Sequence, residues 1–360
     1  MIWWKLRQLK SGNPWKRSEA ARELGRSRER RAVEPLLALM RTRDIDPDVA
    51  AAALGSIGDP RAVEPLCECL SRHRDTPRVA CEVMLALRDI GDRRAIPFLV
   101  SALESVDPLV RERAVEVLAQ LAWTPTSDAE KALVALAKKQ WDAFRGLGED
   151  AVPVLADALY NDRGQAIPEV VNALTMIAGL AAVEVLITML FRLARQGYLG
   201  EDGGVVQALV SMGPCAASPL ASRLRQEMQR VREALAGPGG DSPNVTWAEE
   251  RIREATADVF RGIGGPSLQP LLELIGDSDD RVRIVAAESM AFIHDHRVVP
   301  ALERALADTS FGVRVMALKA LRRHGWEPRD DASRRLRDTA TFSSTEHPYL
   351  GLGRRLDQKE

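Results

Sequence analysis

The chain has 360 residues, 28 % charged and 5 % aromatic, with a formal net charge of −1. It holds no run of about 18 apolar residues, so no membrane-spanning helix is expected, and Lys5, Arg7 and Lys10 interrupt any signal-peptide core, which makes a cytoplasmic setting the expectation. Charge is uneven: residues 1–31 carry ten Lys/Arg against three Glu, residues 319–360 ten against seven acids, and the body between them is −11, the opposite of the basic stripe of a nucleic-acid-binding chain.

Residues 1–13, MIWWKLRQLKSGN, stand outside the pattern that follows. Ile2, Trp3, Leu6 and Leu9 fall on one side of a short helix, with Lys5, Arg7 and Lys10 nearer the other. Such a helix either covers the apolar edge of the first repeat or serves as a docking peptide or membrane-surface foot, with Trp3 and Trp4 at an interface.

From about Pro14 the chain repeats itself. The clearest unit is DIDPDVAAAALGSIGDPRAVEPLCECL, residues 44–70. Asp46 can cap a helix that starts at Pro47, where a missing N–H costs nothing. Val49, Ala50, Ala53, Leu54 and Ile57 share one face, kept thin by alanine. Gly58 can end that helix in a left-handed conformation, and Asp59-Pro60 makes the turn. A second helix starts near Ala62 to Glu64, with Pro65 in its first turn, and carries Val63, Leu66, Cys67 and Leu70 inward. Neither helix can bury its apolar face alone, so copies must stack. Second-helix copies are legible at 31–40, 61–70, 94–103, 149–159, 180–190, 215–224, 266–275 and 297–306. First-helix copies include PLVRERAVEVLAQL (108–121), DRVRIVAAESMAFI (280–293) and FGVRVMALKALRRHG (311–325).

Two segments share a different grammar. In LAWTPTSDAEKALVALAKKQWDAFRGLG (121–148), Pro125 stops one helix and Ser127 or Asp128 caps another beginning near Ala129, burying Leu133, Leu136, Ala137 and Trp141. HGWEPRDDASRRL (324–336) repeats that Trp-x-Pro, acidic cap and helix. Packing at breaks in the stack is the expectation for Trp123, Trp141 and Trp326. The glycine-rich segment 197–204 is no phosphate loop, because the Gly-Lys-Ser/Thr ending is missing and Glu201 and Asp202 would repel phosphate. Residues 236–246 break helical order again. Arg223, Arg225, Arg230 and Arg232 decorate the helix before that break, a solvated face by default and an acidic-partner site as the sharper reading. After Ala340 helical period is lost, and Phe342, Tyr349, Leu350 and Leu352 either fold back or hang free.

The Val-Arg-x-x-Ala first helix, the Gly-Asp turn and the Ala-Val-x-Pro-Leu second helix resemble the HEAT-like repeats first associated with phycobilin lyases. The resemblance covers most of the chain and implies an α-solenoid. It implies no one activity, since that family holds chromophore lyases, a di-iron hydroxylase of modified lysine and plain binding scaffolds. The deoxyhypusine-hydroxylase type implies His-Glu pairs on successive repeats. Here His73, His294, His296, His324 and His347 all lack a following Glu, which disfavours that activity. The Trp-Pro element also resembles one that interrupts the stack in some members.

Other chemistry is thinly supported. Cys67, Cys69, His73 and Cys81 are a zinc-type donor set, but Cys67 and Cys69 align with Leu37 and Leu39 of the previous copy. Residues two apart on a helix also point about 200° apart. The four cysteines, Cys215 included, suit a reducing compartment and no disulfide framework. His294 and His296 sit where other copies have the Gly-Asp turn. No serine elbow, zincin helix or dinucleotide loop occurs.

The expected fold is therefore all-α, an α-α superhelix of about nine or ten helix pairs of HEAT-repeat type. Its expected parts are a capping or docking helix (1–13), a first repeat block (14–146), a second (147–340, with loops at 197–204 and 236–246) and a tail (341–360). The expected function is a non-catalytic scaffold that binds a partner protein on its curved surface, without cofactor or metal. Second helices line the concave side in solenoids of this type, so Glu68, Arg223, Glu273 and Arg304, with Trp3 and Trp4, are the candidate contacts. The alternative is a phycobilin-lyase-like enzyme acting on a tetrapyrrole and its carrier protein.

Overall fold

The computed structural model describes residues 2–161, 167–196, 204–236 and 243–341. Most of the 197–204 and 236–246 segments and the tail after Thr341 lie outside them. Among the described residues are twenty α-helices and no β-strand. The helices group into two compact units, Met1–Ile177 and Ala178–Glu360. The 121–148 segment lies inside the first.

The first unit runs α1 (Ile2–Gln8), α2 (Pro14–Arg26), α3 (Val33–Thr42), α4 (Pro47–Ile57), α5 (Val63–Arg72), α6 (Pro77–Ile90), α7 (Ile96–Ala102), α8 (Pro108–Gln120), α9 (Asp128–Ala137), α10 (Val152–Asn161) and α11 (Ile167–Ile177). First helices α2, α4, α6 and α8 pack in succession as one layer. Second helices α3, α5 and α7 pair with them; α5 packs on α7, and α3 on the turn that leads into α5. The first layer is thin because small residues face each other. A Cβ on Gly25 would stand 2.9 Å from Ala53 Cα, and one on Gly55 only 2.5 Å from Ala86 Cα. Larger side chains fill the space between layers: Leu36, Leu54, Leu66, Leu87 and Leu99 are fully buried.

The 44–70 unit forms as its residues require, except that Asp46 stands at the N-cap of α4 without a side-chain cap hydrogen bond. Pro47 opens α4, and Gly58 closes it at φ +72°, a conformation that strains any residue with a Cβ. A short 3₁₀ turn, Pro60–Ala62, leads into α5, with Pro65 in its first turn. Val63, Leu66, Cys67 and Leu70 are buried as expected, and Cys69 is buried too.

Two further details differ from expectation. Of the four residues expected on one side of α1, Leu9 is buried and Leu6 half-buried against the core, while Ile2 and Trp3 stay exposed. Leu9 lies just past the end of α1, and no residue within α1 is fully buried. In the 121–148 segment Ser127 caps α9 in a reciprocal box with Glu130, and Leu133, Leu136 and Ala137 are buried. Trp141 is only half-buried. The helix stops at Ala137, so a 3₁₀ turn, Trp141–Phe144, puts Phe144 into the core and stacks Trp141 on it.

The second unit runs α12 (Leu180–Gln196), α13 (Gly204–Met212), α14 (Pro214–Ala236), α15 (Pro243–Ile263), α16 (Leu268–Leu274), α17 (Asp280–Met290), α18 (Val298–Ala305), α19 (Phe311–Arg323) and α20 (Asp331–Thr341). Helices α13, α15, α17 and α19 pack in succession, and α12, α14, α16 and α18 form the other layer. No single described helix is long and apolar enough to cross a membrane. The bent pair α13–α14 passes that test only jointly, with a 119° bend, and buries Val205, Leu209, Ala217 and Leu220 in its own unit.

Candidate interaction surface

Four turns between a first and a second helix are each held by a recurring pair, an acid and the arginine two residues later. Asp59 Oδ1 accepts the Arg61 backbone N–H and Nε at 3.0 Å each, and Oδ2 accepts an Nη at 2.8 Å. Asp92 does the same with Arg94, Glu29 with Arg31 and Asp295 with Arg297. The guanidinium beside each acid is the main reason its carboxyl lies low, at about 2 for Glu29, Asp59 and Asp295. Two of these arginines also reach the preceding repeat. Arg61 Nη1 lies 3.5 Å from Glu34 and Arg94 Nη1 3.4 Å from Glu64, so the glutamate of Ala-Val-Glu-Pro links neighbouring copies.

A second clamp explains the Val-Arg of the first helices. Arg111 Nη1 donates to the Ser105 and Val106 carbonyls at 2.8 and 3.1 Å. Arg283 and Arg314 grip the carbonyls of Asp277 and Ser278 and of Asp308 and Thr309 in the same way. These arginines satisfy carbonyls of the loop just ahead of the helix that carries them. They serve the fold rather than a ligand, which the spacing alone did not say.

The candidate contact residues divide by unit. Glu68 projects from α5 with its side chain 73 % exposed; its ion-pair partner is Arg72, one turn on, at 3.9 Å. In the second unit Arg223, Glu273 and Arg304 come from α14, α16 and α18, which pack in that order. Glu273 and Arg304 are exposed, and among the described residues their side-chain hydrogen bonds stay on their own helices, to Gln269 and the Pro300 carbonyl. Arg223 is half-buried and engaged. Its Nε sits 3.4 Å from Glu227, a carboxylate that is 1 % exposed and also contacted by Arg195 and by Arg230 at 2.6 Å. Arg225 and Arg232 pair with Asp277 and Asp279 at 2.7 and 2.9 Å. All four arginines of that helix thus have carboxylate partners inside the unit. Sequence spacing exposed the arginines but not Glu227, whose partner Arg195 is 32 residues away.

Trp3 and Trp4 are exposed, as is Trp15 at the start of α2. Cys67 and Cys69 lie in the core, and burial pushes the Cys67 thiol up to about 12, far from a thiolate ligand. Among the described residues no three His, Cys, Asp or Glu side chains stand together to hold a metal ion. His294 meets His324 edge-on at 6.2 Å, and His324 Nε2 lies 2.9 Å from the Met290 carbonyl. Phe292 is sandwiched between the guanidiniums of Arg261 and Arg323, 3.9 and 4.1 Å from its centroid. A cleft of ≈ 490 Å³ is lined by Val299 and residues 324–329, and Trp326 Nε1 donates to Glu303 at 2.5 Å. Trp123 packs half-buried against the first unit's core.

The helix pairs, their turn clamps and their 30-residue spacing define a repeat, and known families decide which. The HEAT repeats profile matches residues 5–81, 72–147 and 248–341, more than half the chain. The chain belongs to the HEAT-repeat family. No curated protein matches it. Among solved structures, importin beta crystallised in an ammonium sulfate condition aligns at 16 % identity and a TM-score of 0.31, over 94 % of this chain and 48 % of its own, so this HEAT chain spans about half that length. The CpcE–CpcF complex of phycocyanin lyase from Nostoc sp. PCC7120 aligns at 19 % identity and a TM-score of 0.22, over 94 % of this chain and 93 % of its own. Neither likeness is close enough to carry a function across.

Proposed function

We propose that this HEAT-repeat chain is a non-catalytic scaffold, in an adaptor, assembly or regulatory role, that binds a partner protein on the outward faces of its second helices. The observation that carries the reading is a division of labour among charges. The arginines of the turn pairs and Arg111, Arg283 and Arg314 of the first helices are consumed by the fold, whereas among the described residues Glu68, Glu273 and Arg304 project from second helices with side-chain hydrogen bonds or ion pairs to their own helix alone. The backbone that carries these side chains is already ordered in packed helices, which limits the cost of binding. Glu68, Glu273 and Arg304 are the contacts we favour, with Arg223 at their margin because Glu227 already engages it. A cytoplasmic setting belongs to the same reading.

The other reading keeps the phycobilin-lyase type of HEAT-like repeat and makes the chain an enzyme on a tetrapyrrole and its carrier. It rests on the Ala-Val-x-Pro-Leu and Gly-Asp signatures. Purified protein separates the two. A scaffold is colourless and leaves the spectrum of added bilin unchanged. A co-purifying pigment, or a bilin spectral shift on mixing, contradicts the scaffold and moves the search to a pigment pocket.

A further inference from the structure

The first helix pair leaves three indoles in solvent. Trp3 is 70 % exposed, Trp4 59 % and Trp15 67 %. The edge is nevertheless fixed. Leu9 is buried, Lys5 Nζ pairs with Glu23 at 2.8 Å, and Asn13 Oδ1 accepts the Trp15 backbone N–H at 2.9 Å, setting the first turn of α2. So α1 is anchored without help from its tryptophans.

Cations outnumber acids along this edge, where Glu23 pairs with Lys5 and Glu19 is exposed on α2. Residues 2–17 hold Lys5, Arg7, Lys10, Lys16 and Arg17 and no acid. Arg17 is occupied by the Ser11 and Asp44 carbonyls at 2.6 and 2.7 Å. Arg7, Lys10 and Lys16 are exposed, and the Arg7 guanidinium stands 5.8 Å from the Trp3 ring centroid. Indoles have an apolar body and a polar N–H, which suits them to the headgroup level of a bilayer, and nearby cations favour anionic lipid.

We propose that α1 and the first turn of α2 dock the chain on an anionic lipid surface, with Trp3 and Trp4 at headgroup depth and Arg7, Lys10 and Lys16 over the lipid charges. The indoles protrude; a protein partner would need a ready pocket for each, whereas a bilayer yields to them. A second copy joined by two-fold symmetry would set Arg7, Lys10 and Lys16 against their own counterparts, which like charge opposes. One short edge anchors weakly, so binding is reversible and falls as salt screens it.

The test is flotation of the full chain with phosphatidylcholine vesicles, with and without about 30 % phosphatidylserine. The expected result is recovery with the anionic vesicles only, reduced at least about fivefold in Trp3→Ala/Trp4→Ala and in Arg7→Glu/Lys10→Glu/Lys16→Glu, and abolished in about 0.5 M salt. Circular dichroism and the melting temperature of both variants stay at wild-type values, since none of these side chains is buried. No recovery of the wild type, equal recovery of the tryptophan variant, or equal recovery with neutral vesicles would overturn the proposal. So would a doubled mass by light scattering, or a captured acidic protein, that disappears with the tryptophans; these would assign the edge to a second copy or a protein.

Discussion

At Asp59 one carboxylate caps a turn, pairs with Arg61 and, through that arginine, ties its repeat to Glu34 of the one before. Asp59 and Asp295 titrate at about 2 when folded and near 4 when unfolded. Their contribution is therefore complete above pH ~4, declines as pH falls and is gone below pH ~2. The melting temperature should drop between pH ~5 and ~2 more steeply in the wild type than in Asp59→Asn/Asp295→Asn, where the amide keeps the cap but not the charge. Parallel curves would remove the pairs from the stability of the fold. Glu227 is the other residue on which much depends. Glu227→Ala strips the shared acceptor from three arginines. Because their guanidiniums reach solvent in part, a loss of about 1–3 kcal/mol is expected by urea unfolding rather than the larger cost of a fully buried charge.

Among elements, the close approach of α4 to α6 is the sharpest constraint. Gly55→Ala puts a methyl 2.5 Å from the Ala86 backbone, and backbone cannot swing away as a side chain can. A cost of about 1–3 kcal/mol is expected by denaturant unfolding. An unchanged midpoint would mean that these helices slide apart freely. At α9, Ser127→Ala removes one half of the capping box and should cost about 1 kcal/mol, read by the same method. Helix starts such as Pro47, the Gly58 turn and the inward Val63, Leu66 and Leu70 were readable because each depends on residues within one or two turns. Trp141 was misplaced because the end of α9 is decided by how Phe144 fits the core, which periodicity does not register. The carboxylates that occupy Arg225 and Arg232 were likewise hidden. Asp277 is 52 residues from Arg225, and only packing brings them together.

For the whole molecule, the repeat made the all-α solenoid class legible, because stacking is the only way for such helix pairs to bury their apolar faces. The partner surface was less legible. Charged positions on second helices could be counted from sequence, but which are consumed by the fold depends on contacts between repeats. That sorting leaves Glu273 and Arg304 on neighbouring second helices α16 and α18 as the exposed pair, and removes most of the arginines of α14 from contention.

The decisive measurement is quantitative capture of partners from source cells by the chain tagged at its C-terminus at native level, compared with Glu273→Arg/Arg304→Glu, with composition read by mass spectrometry. The account predicts one near-stoichiometric protein with the wild type. It also predicts a loss of about tenfold or more in the variant, at an unchanged melting temperature, as expected when exposed charges at a binding surface are reversed. Equal capture by the variant, or a bound pigment or metal in place of a protein, would contradict it.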